Sequence, residues 1–169
     1  MAPYWQLFYH LVWATRDHRP WLVGETETLI HRYVRDRVQV LGGSVFAIGG
    51  MEEHLHLVTA IPPRIAVATF VGQVKSGSSA RYNRRFPNGP RFFWHASYGV
   101  FTFDRKRLAN AIDYVQNQAR LHAEDAIIPV LERMDGGAPS LILQPETGYY
   151  IDSVTWRNEM LALDTELFK

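Results

Sequence analysis

The chain has no cysteine among its 169 residues. Disulfides and thiolate metal sites are therefore excluded, and a reducing compartment fits. No uninterrupted apolar run is long enough to span a membrane. The apolar stretch from Tyr4 to Ala14 lacks a basic leader and contains Gln6 and His10, so it reads poorly as a secretory signal. The expectation is a cytoplasmic protein with no membrane partner. Acidic residues are missing from one long segment: between His54 and Phe103 there is no carboxylate, while Arg64, Lys75, Arg81, Arg84, Arg85 and Arg91 all fall there.

That gap belongs to a wider division of charge. The net charge is only +1, yet residues 1–122 carry 15 Lys and Arg against 8 Asp and Glu, and residues 123–169 carry 3 against 9. A basic, acid-free segment suits a phosphate backbone; it also suits a solvated face balanced by an acidic tail. With 47% apolar and 21% charged residues, the composition is that of a globular domain with a real core.

Hydrophobic periodicity orders the elements. Trp5 to Thr15 is aromatic and β-branched and reads as a strand buried on both faces. Leu29, Ile30, Tyr33, Val34, Val38 and Leu41 recur at helical spacing, with Glu25 and Glu27 near the start and Gly42-Gly43 as the stop. Strands are expected at 44–48 and 53–60, and a helix from about 65 to 82. A strand from 92 to 103, bent at Gly99, and a helix capped by Asp104 and reaching His122 complete the series. The order β-α-β-β-α-β-α predicts an α+β fold, a ferredoxin-like antiparallel sheet with helices packed on it. Residues 1–128 form the expected main domain. Residues 129–169 form an acidic C-terminal extension, read as a hairpin turning at 145–148 and a helix over 156–168.

Chemistry concentrates in two places. In "EEHLHLVTA", residues 52–60, His54 and His56 are two apart in a strand, so both imidazoles point to one face, roughly 6–7 Å apart at the backbone. They could share one ion, although a packed His-x-His also occurs by chance. In the last helix, Leu108, Ile112, Val115 and Ala119 form the expected core stripe. Tyr114 and Gln118, four apart and rotated by roughly 40°, flank that stripe at the seam with the sheet. His10, His18, His31 and His95 have no partner identifiable from sequence and are assigned ordinary structural roles.

"HLHL" and "YVQNQ" together resemble the single-tyrosine transposases of the HUH endonuclease superfamily, which include insertion-sequence transposases and REP-associated relatives. The resemblance covers about residues 4–122, through "YHLVWATRDHRP", "GMEEHLHLV", "VKSGSSARYN", "FFWHASYGVFTF" and "YVQNQARLH". It implies an HUH endonuclease fold and a DNA transposase that cuts and transfers single strands through a 5′-phosphotyrosine. Tyr114 would be the nucleophile, and His54, His56 and Gln118 would hold Mg²⁺ or Mn²⁺. This neutral N/N/O set leaves positions open for water and phosphate. The family usually has Pro-Asp before the first histidine, where this chain has Glu52-Glu53. Glu53, together with His122, is thus the candidate to hydrogen-bond behind the ligands.

The resemblance also gives the basic segment a task. Lys75, placed on the exposed side of its helix, and Arg81, Arg84 and Arg85 would track a hairpin-forming single strand. Trp94 would stack on a base, although most aromatics of 92–103 read as core. Insertion-sequence relatives form homodimers in which the tyrosine can serve the partner's histidines, whereas REP-associated relatives can act as monomers. Two other readings are a non-catalytic ferredoxin-like nucleic-acid-binding module and a domesticated transposase acting on repeated hairpin DNA. A metal-free phosphoesterase would need two His-x-Ser/Thr motifs, and only His95-Ala96-Ser97 fits.

Overall fold

A computed structural model describes residues 4–135. Four strands, β1 (Phe8–Ala14), β2 (Ser44–Met51), β3 (His54–Ala60) and β4 (Gly99–Phe103), form one sheet in the order β2-β3-β1-β4. Every neighbouring pair is antiparallel. Helices α1 (Gly24–Val40) and α2 (Val67–Arg85) are the two crossover connections, and both pack on one face of the sheet. The other face receives α3 (Leu108–Gln116) and α4 (Gln118–Ala123). The expected α+β, ferredoxin-like arrangement is present.

The two faces follow from strand alternation. Leu11, Trp13, Leu55 and Leu57 point into the large core under α1 and α2, beside Ile30, Val34, Phe70 and Val74. The intervening residues His10, His54, His56 and Val58 point the other way, toward α3. All seven residues of β3 are buried, because it is an inner strand covered on both sides. The sheet therefore buries a row of imidazoles as deeply as a row of leucines.

Two local expectations need correction. The strand expected over 92–103 is regular only from Gly99; residues 92–98 form a loop held by one bridge, Thr15 to Trp94. Phe92 and Trp94 are buried because they pack on the α1/α2 core, which is why the run looked like a strand. The last helix begins with a 3-10 turn at Arg105–Arg107, with the Asp104 side chain accepting from the Arg107 N–H, and it is interrupted at Asn117. Its buried residues are Tyr114, Val115 and Gln118, whereas Ala119 is exposed, so the helix is rotated from the expected stripe. The compact unit runs through Asp135, which places residues 129–135 with the main domain. The expected hairpin and final helix lie outside the described residues.

The approach of α3 to the sheet depends on Gly49 of β2, which pairs with His56. A Cβ at position 49 would lie 2.3 Å from the Val115 carbonyl oxygen, a backbone atom that cannot swing aside. We therefore expect Gly49→Ala to destabilise the protein by about 1–3 kcal/mol, the range for overpacking. Gly72→Ala has no neighbour within 4 Å of the new methyl group on α2. It should be neutral or stabilising by up to about 1 kcal/mol. Urea unfolding of both variants checks the contrast.

Candidate functional site

Strand β3 presents His54 and His56 to the α3 face, 5% and 0% exposed. Their rings meet edge to face with centroids 5.0 Å apart. Each Nδ1 has a partner. That of His54 lies 3.2 Å from Glu53 Oε1, and that of His56 lies 2.8 Å from His10 Nε2. Both Nε2 atoms point toward the Glu132 carboxylate, His56 Nε2 at 3.0 Å and His54 Nε2 at 3.5 Å from the same oxygen. The longer contact is not a hydrogen bond, so His54 Nε2 is buried without a partner.

Tyr114 enters from α3, 7% exposed, with its ring edge-on to His56 at 6.0 Å. Its hydroxyl donates to Glu132 Oε1 and accepts from the Ile128 N–H at 3.2 Å. One carboxylate thus contacts both histidines and the phenol. Gln118, one helical turn on, is 1% exposed; its Nε2 donates to the Tyr114 carbonyl, and its Oε1 has no partner. His122 lies against His54 with centroids 5.1 Å apart and the ring planes tilted by 44°, and its Nε2 is also buried without a partner.

The electrostatics follow from burial. Desolvation, reinforced by neighbouring His56, lowers the pKa of His54 against the opposing pull of Glu132 and Glu53. The same two effects lower His10 to about 3. Burial, followed by the hydrogen bond to Glu132, raises Tyr114 to about 12. Burial would raise Glu132, but the His56 hydrogen bond and charge and the Tyr114 hydrogen bond outweigh it and bring the carboxyl to about 2.

The donor set fits a divalent cation. His54 Nε2 and Gln118 Oε1 are ligand-type atoms, buried and unanswered by any protein group. His54, His56 and Glu132 offer ligand atoms that all lie within 4.8 Å of one another. Two imidazoles with amide and carboxylate oxygens suit Mn²⁺ and accept Mg²⁺. Sequence reasoning missed Glu132, which lies in a short 3-10 turn at Pro129–Glu132 within the presumed extension. It also assigned His10 a merely structural role. The alternation that put His54 and His56 on one face would have placed His10 there too, had the strand pairing been known.

The basic segment is less uniform than its composition suggests. Lys75 is buried, contrary to the exposed position expected for it. Its Nζ donates to the carbonyls of Ala96 and Ser97, and burial lowers its pKa to about 8. Trp94 is also inside, its Nε1 donating to Ser78 Oγ. Both tie the 92–98 loop to α2 because that loop forms one wall of the core. Arg81 pairs with Asp36 and covers the Tyr33 ring. Arg84 and Arg85 are exposed. The exposed ring is Phe93, with the Arg16 guanidinium 4.5 Å above it. Three open grooves of about 290, 350 and 240 Å³ meet at Phe93, and Arg84, Arg91, Arg16 and Arg19 line them.

Comparison with known proteins gives a consistent picture. A family model described as "Transposase IS200 like" matches residues 3–118. The chain is 28% identical over 119 residues to the ISDra2 transposase TnpA of Deinococcus radiodurans, covering 68% of this chain and 85% of that protein. It is 27% identical over 119 residues to the transposase for insertion sequence element IS200 of Salmonella typhimurium, covering 68% and 78%. A crystal structure of a candidate transposase from Deinococcus radiodurans R1 superposes with a TM-score of 0.55 at 27% identity, covering 70% of this chain and 95% of that one. A REP-associated tyrosine transposase bound to a REP hairpin shares the fold at 11% identity, with a TM-score of 0.53 and coverage of 75% and 76%. Among the described residues no helix is long and apolar enough to cross a membrane.

Acid should dismantle the site in two steps. Folded His10 titrates near 3 against a usual 6.5, so the unfolded chain binds the extra proton first and stability falls as pH drops from about 6.5 to 3. Folded Glu132 titrates near 2 against 4.5, so its contribution is lost between about 4.5 and 2. Unfolding free energies measured against pH should show both losses. The lower step should be absent in Glu132→Gln.

Proposed function

We propose that this chain, which belongs to the IS200-like transposase family, cleaves and rejoins single-stranded DNA through a 5′-phosphotyrosine on Tyr114, at a divalent cation held by His54, His56 and Gln118. The observation that carries the reading is the meeting of the Tyr114 hydroxyl and both histidine Nε2 atoms at one carboxylate, Glu132. Elements distant in sequence deliver these groups within a single chain. A dimer is not needed to complete the constellation.

The chemistry assigns a task to each group. Tyr114 attacks the scissile phosphorus in line, forming the phenolic P–O bond while the bond to the 3′ oxygen breaks; that oxygen leaves and takes a proton. A second 3′-hydroxyl then attacks the phosphotyrosine and releases the phenol. The phosphodiester's transfer potential is kept, so rejoining needs no ATP. A bound divalent cation would supply charge to polarise a non-bridging phosphate oxygen. Glu132 stands as proton acceptor for the phenol, but with Tyr114 near 12 and Glu132 near 2 the proton stays on tyrosine as the groups stand. Glu53 orients His54 by accepting from its Nδ1.

The groove at Phe93 supports single-stranded nucleic acid as substrate. An exposed aromatic face beside guanidinium groups is the surface that stacks a base and holds its phosphates. The fold-level likeness to the transposase bound to a REP hairpin points the same way. Arg84→Ala and Arg91→Ala should each weaken binding of a single-stranded hairpin oligonucleotide and reduce the slope of log affinity against log salt by about 1. Fluorescence anisotropy at several salt concentrations measures both effects.

The decisive experiment uses a 3′-labelled hairpin single strand with Mn²⁺. We expect a denaturation-resistant protein–DNA adduct, absent in Tyr114→Phe and reduced at least about 100-fold in His56→Ala. Binding without an adduct on any hairpin substrate would make the chain a nucleic-acid-binding module. Mixing Tyr114→Phe with His56→Ala should not restore the adduct. Restoration would mean that the tyrosine serves a partner's histidines.

A further inference from the structure

We infer that Ser97 and Gly99 are positioning residues for Glu132: they form a dock at the entry of β4 that holds segment 128–134 where its carboxylate reaches Tyr114. The inference rests on the reading above, in which Glu132 is the acceptor for the phenol's proton. It extends that reading to two residues outside the constellation.

Glu132 cannot hold its own place. It lies in a four-residue 3-10 turn, Pro129–Glu132, and a turn that short depends on what it packs against. Leu131 packs beside Val115, but Ile128 and Val130 are half-exposed. On the N-terminal side the segment is tied by the Ile128 N–H, which donates to the Tyr114 hydroxyl at 3.2 Å. That tie is made to the nucleophile itself, so it cannot place Glu132 independently of the phenol.

Two contacts fasten the chain just past Glu132. The Ser97 hydroxyl donates to the Met134 carbonyl. The Arg133 carbonyl oxygen lies against Gly99, where a Cβ would overlap it and would also fall 2.8 Å from Val12 Cγ1. Gly99 pairs with Val12 in the sheet and has no positive φ, so the close approach, and not the backbone conformation, calls for glycine. The dock is itself braced. Buried Lys75 donates to the Ala96 carbonyl at 3.1 Å and the Ser97 carbonyl at 2.9 Å, fixing the backbone that carries the Ser97 hydroxyl. Contacts thus run from Lys75 through Ser97 and Met134 toward Glu132 and Tyr114. Both dock residues fall inside the stretch matched by the family model, residues 3–118, whereas Glu132 falls outside it. Placement matters because a proton acceptor works only within hydrogen-bond reach, and a misplacement of about 1 Å can cost about 100-fold in rate.

The test uses the full-length chain with 3-fluorotyrosine at position 114 alone, so that one ¹⁹F resonance reports contact with the Glu132 carboxylate without DNA or metal. Glu132→Gln sets the shift that marks loss of that carboxylate. We expect Gly99→Ala to move the resonance most of the way to that value and Ser97→Ala part of the way. Ser97→Thr, which keeps the hydroxyl, should leave it in place. With the hairpin substrate and Mn²⁺, unlabelled Gly99→Ala should form the adduct about 10–100-fold more slowly and Ser97→Ala about 2–10-fold more slowly. In a Glu132→Gln background neither should cost more than about 2-fold further, because no acceptor is left to misplace. A structural role alone would lower the melting temperature, slow the adduct equally with and without Glu132, and leave the ¹⁹F resonance unmoved, which would overturn the inference. If the wild type forms no adduct on any hairpin, the proposed chemistry fails, and the ¹⁹F shifts alone then decide whether the dock places Glu132. If Gly99→Ala does not fold, Ser97→Ala and Ser97→Thr decide it.

Discussion

A buried imidazole has two ring nitrogens, and leaving either unanswered is costly. This requirement organises the α3 face of the sheet. His54 and His56 are inside because β3 is an inner strand covered by helices on both sides. Their Nδ1 atoms are answered by Glu53 and His10, which fixes ring orientation. Their Nε2 atoms are left facing one point. There Glu132 answers His56 fully and His54 incompletely, and the buried oxygen of Gln118 is left unanswered. Such a cluster of unmet polar atoms destabilises a fold unless something binds there.

The second constraint is the distance between sheet and helix. A phenol on α3 can serve a site on β3 only if the helix backbone lies close to the sheet, and Gly49 removes the side chain that would prevent it. Rotation of the helix then decides which residues enter. Tyr114 and Gln118 are buried, one turn apart, while the neighbouring Asp113 and Ala119 face solvent. Segment 128–132 closes the arrangement by donating an N–H to the Tyr114 hydroxyl and accepting from it through Glu132. A stretch outside the matched family region thereby reaches the centre of the site.

On the opposite face, the loop at 92–98 is pinned by buried Lys75 and Trp94, and Phe93 is left outside among arginines. Inward Phe92 and Trp94 fix the backbone that presents the outward ring. Core packing and a candidate nucleic-acid surface are thus alternate residues of one loop.

Local pattern carried much of this in the sequence. The order of strands and helices, the shared face of His54 and His56, and the one-turn relation of Tyr114 and Gln118 are consequences of periods 2 and 3.6. A single chain displays those periods without knowledge of its neighbours. The metal-assisted phosphoryl chemistry came from the family resemblance those residues carry and not from their spacing. The pairing of β1 with β3, which brings His10 beside His56, is a matter of register between segments more than forty residues apart. The docking of Glu132, the burial of Lys75 and the exposure of Phe93 depend on which surfaces meet. Periodicity describes how a segment divides itself into faces; only the packed chain decides what each face touches, because contact energies act between segments and leave no trace within one.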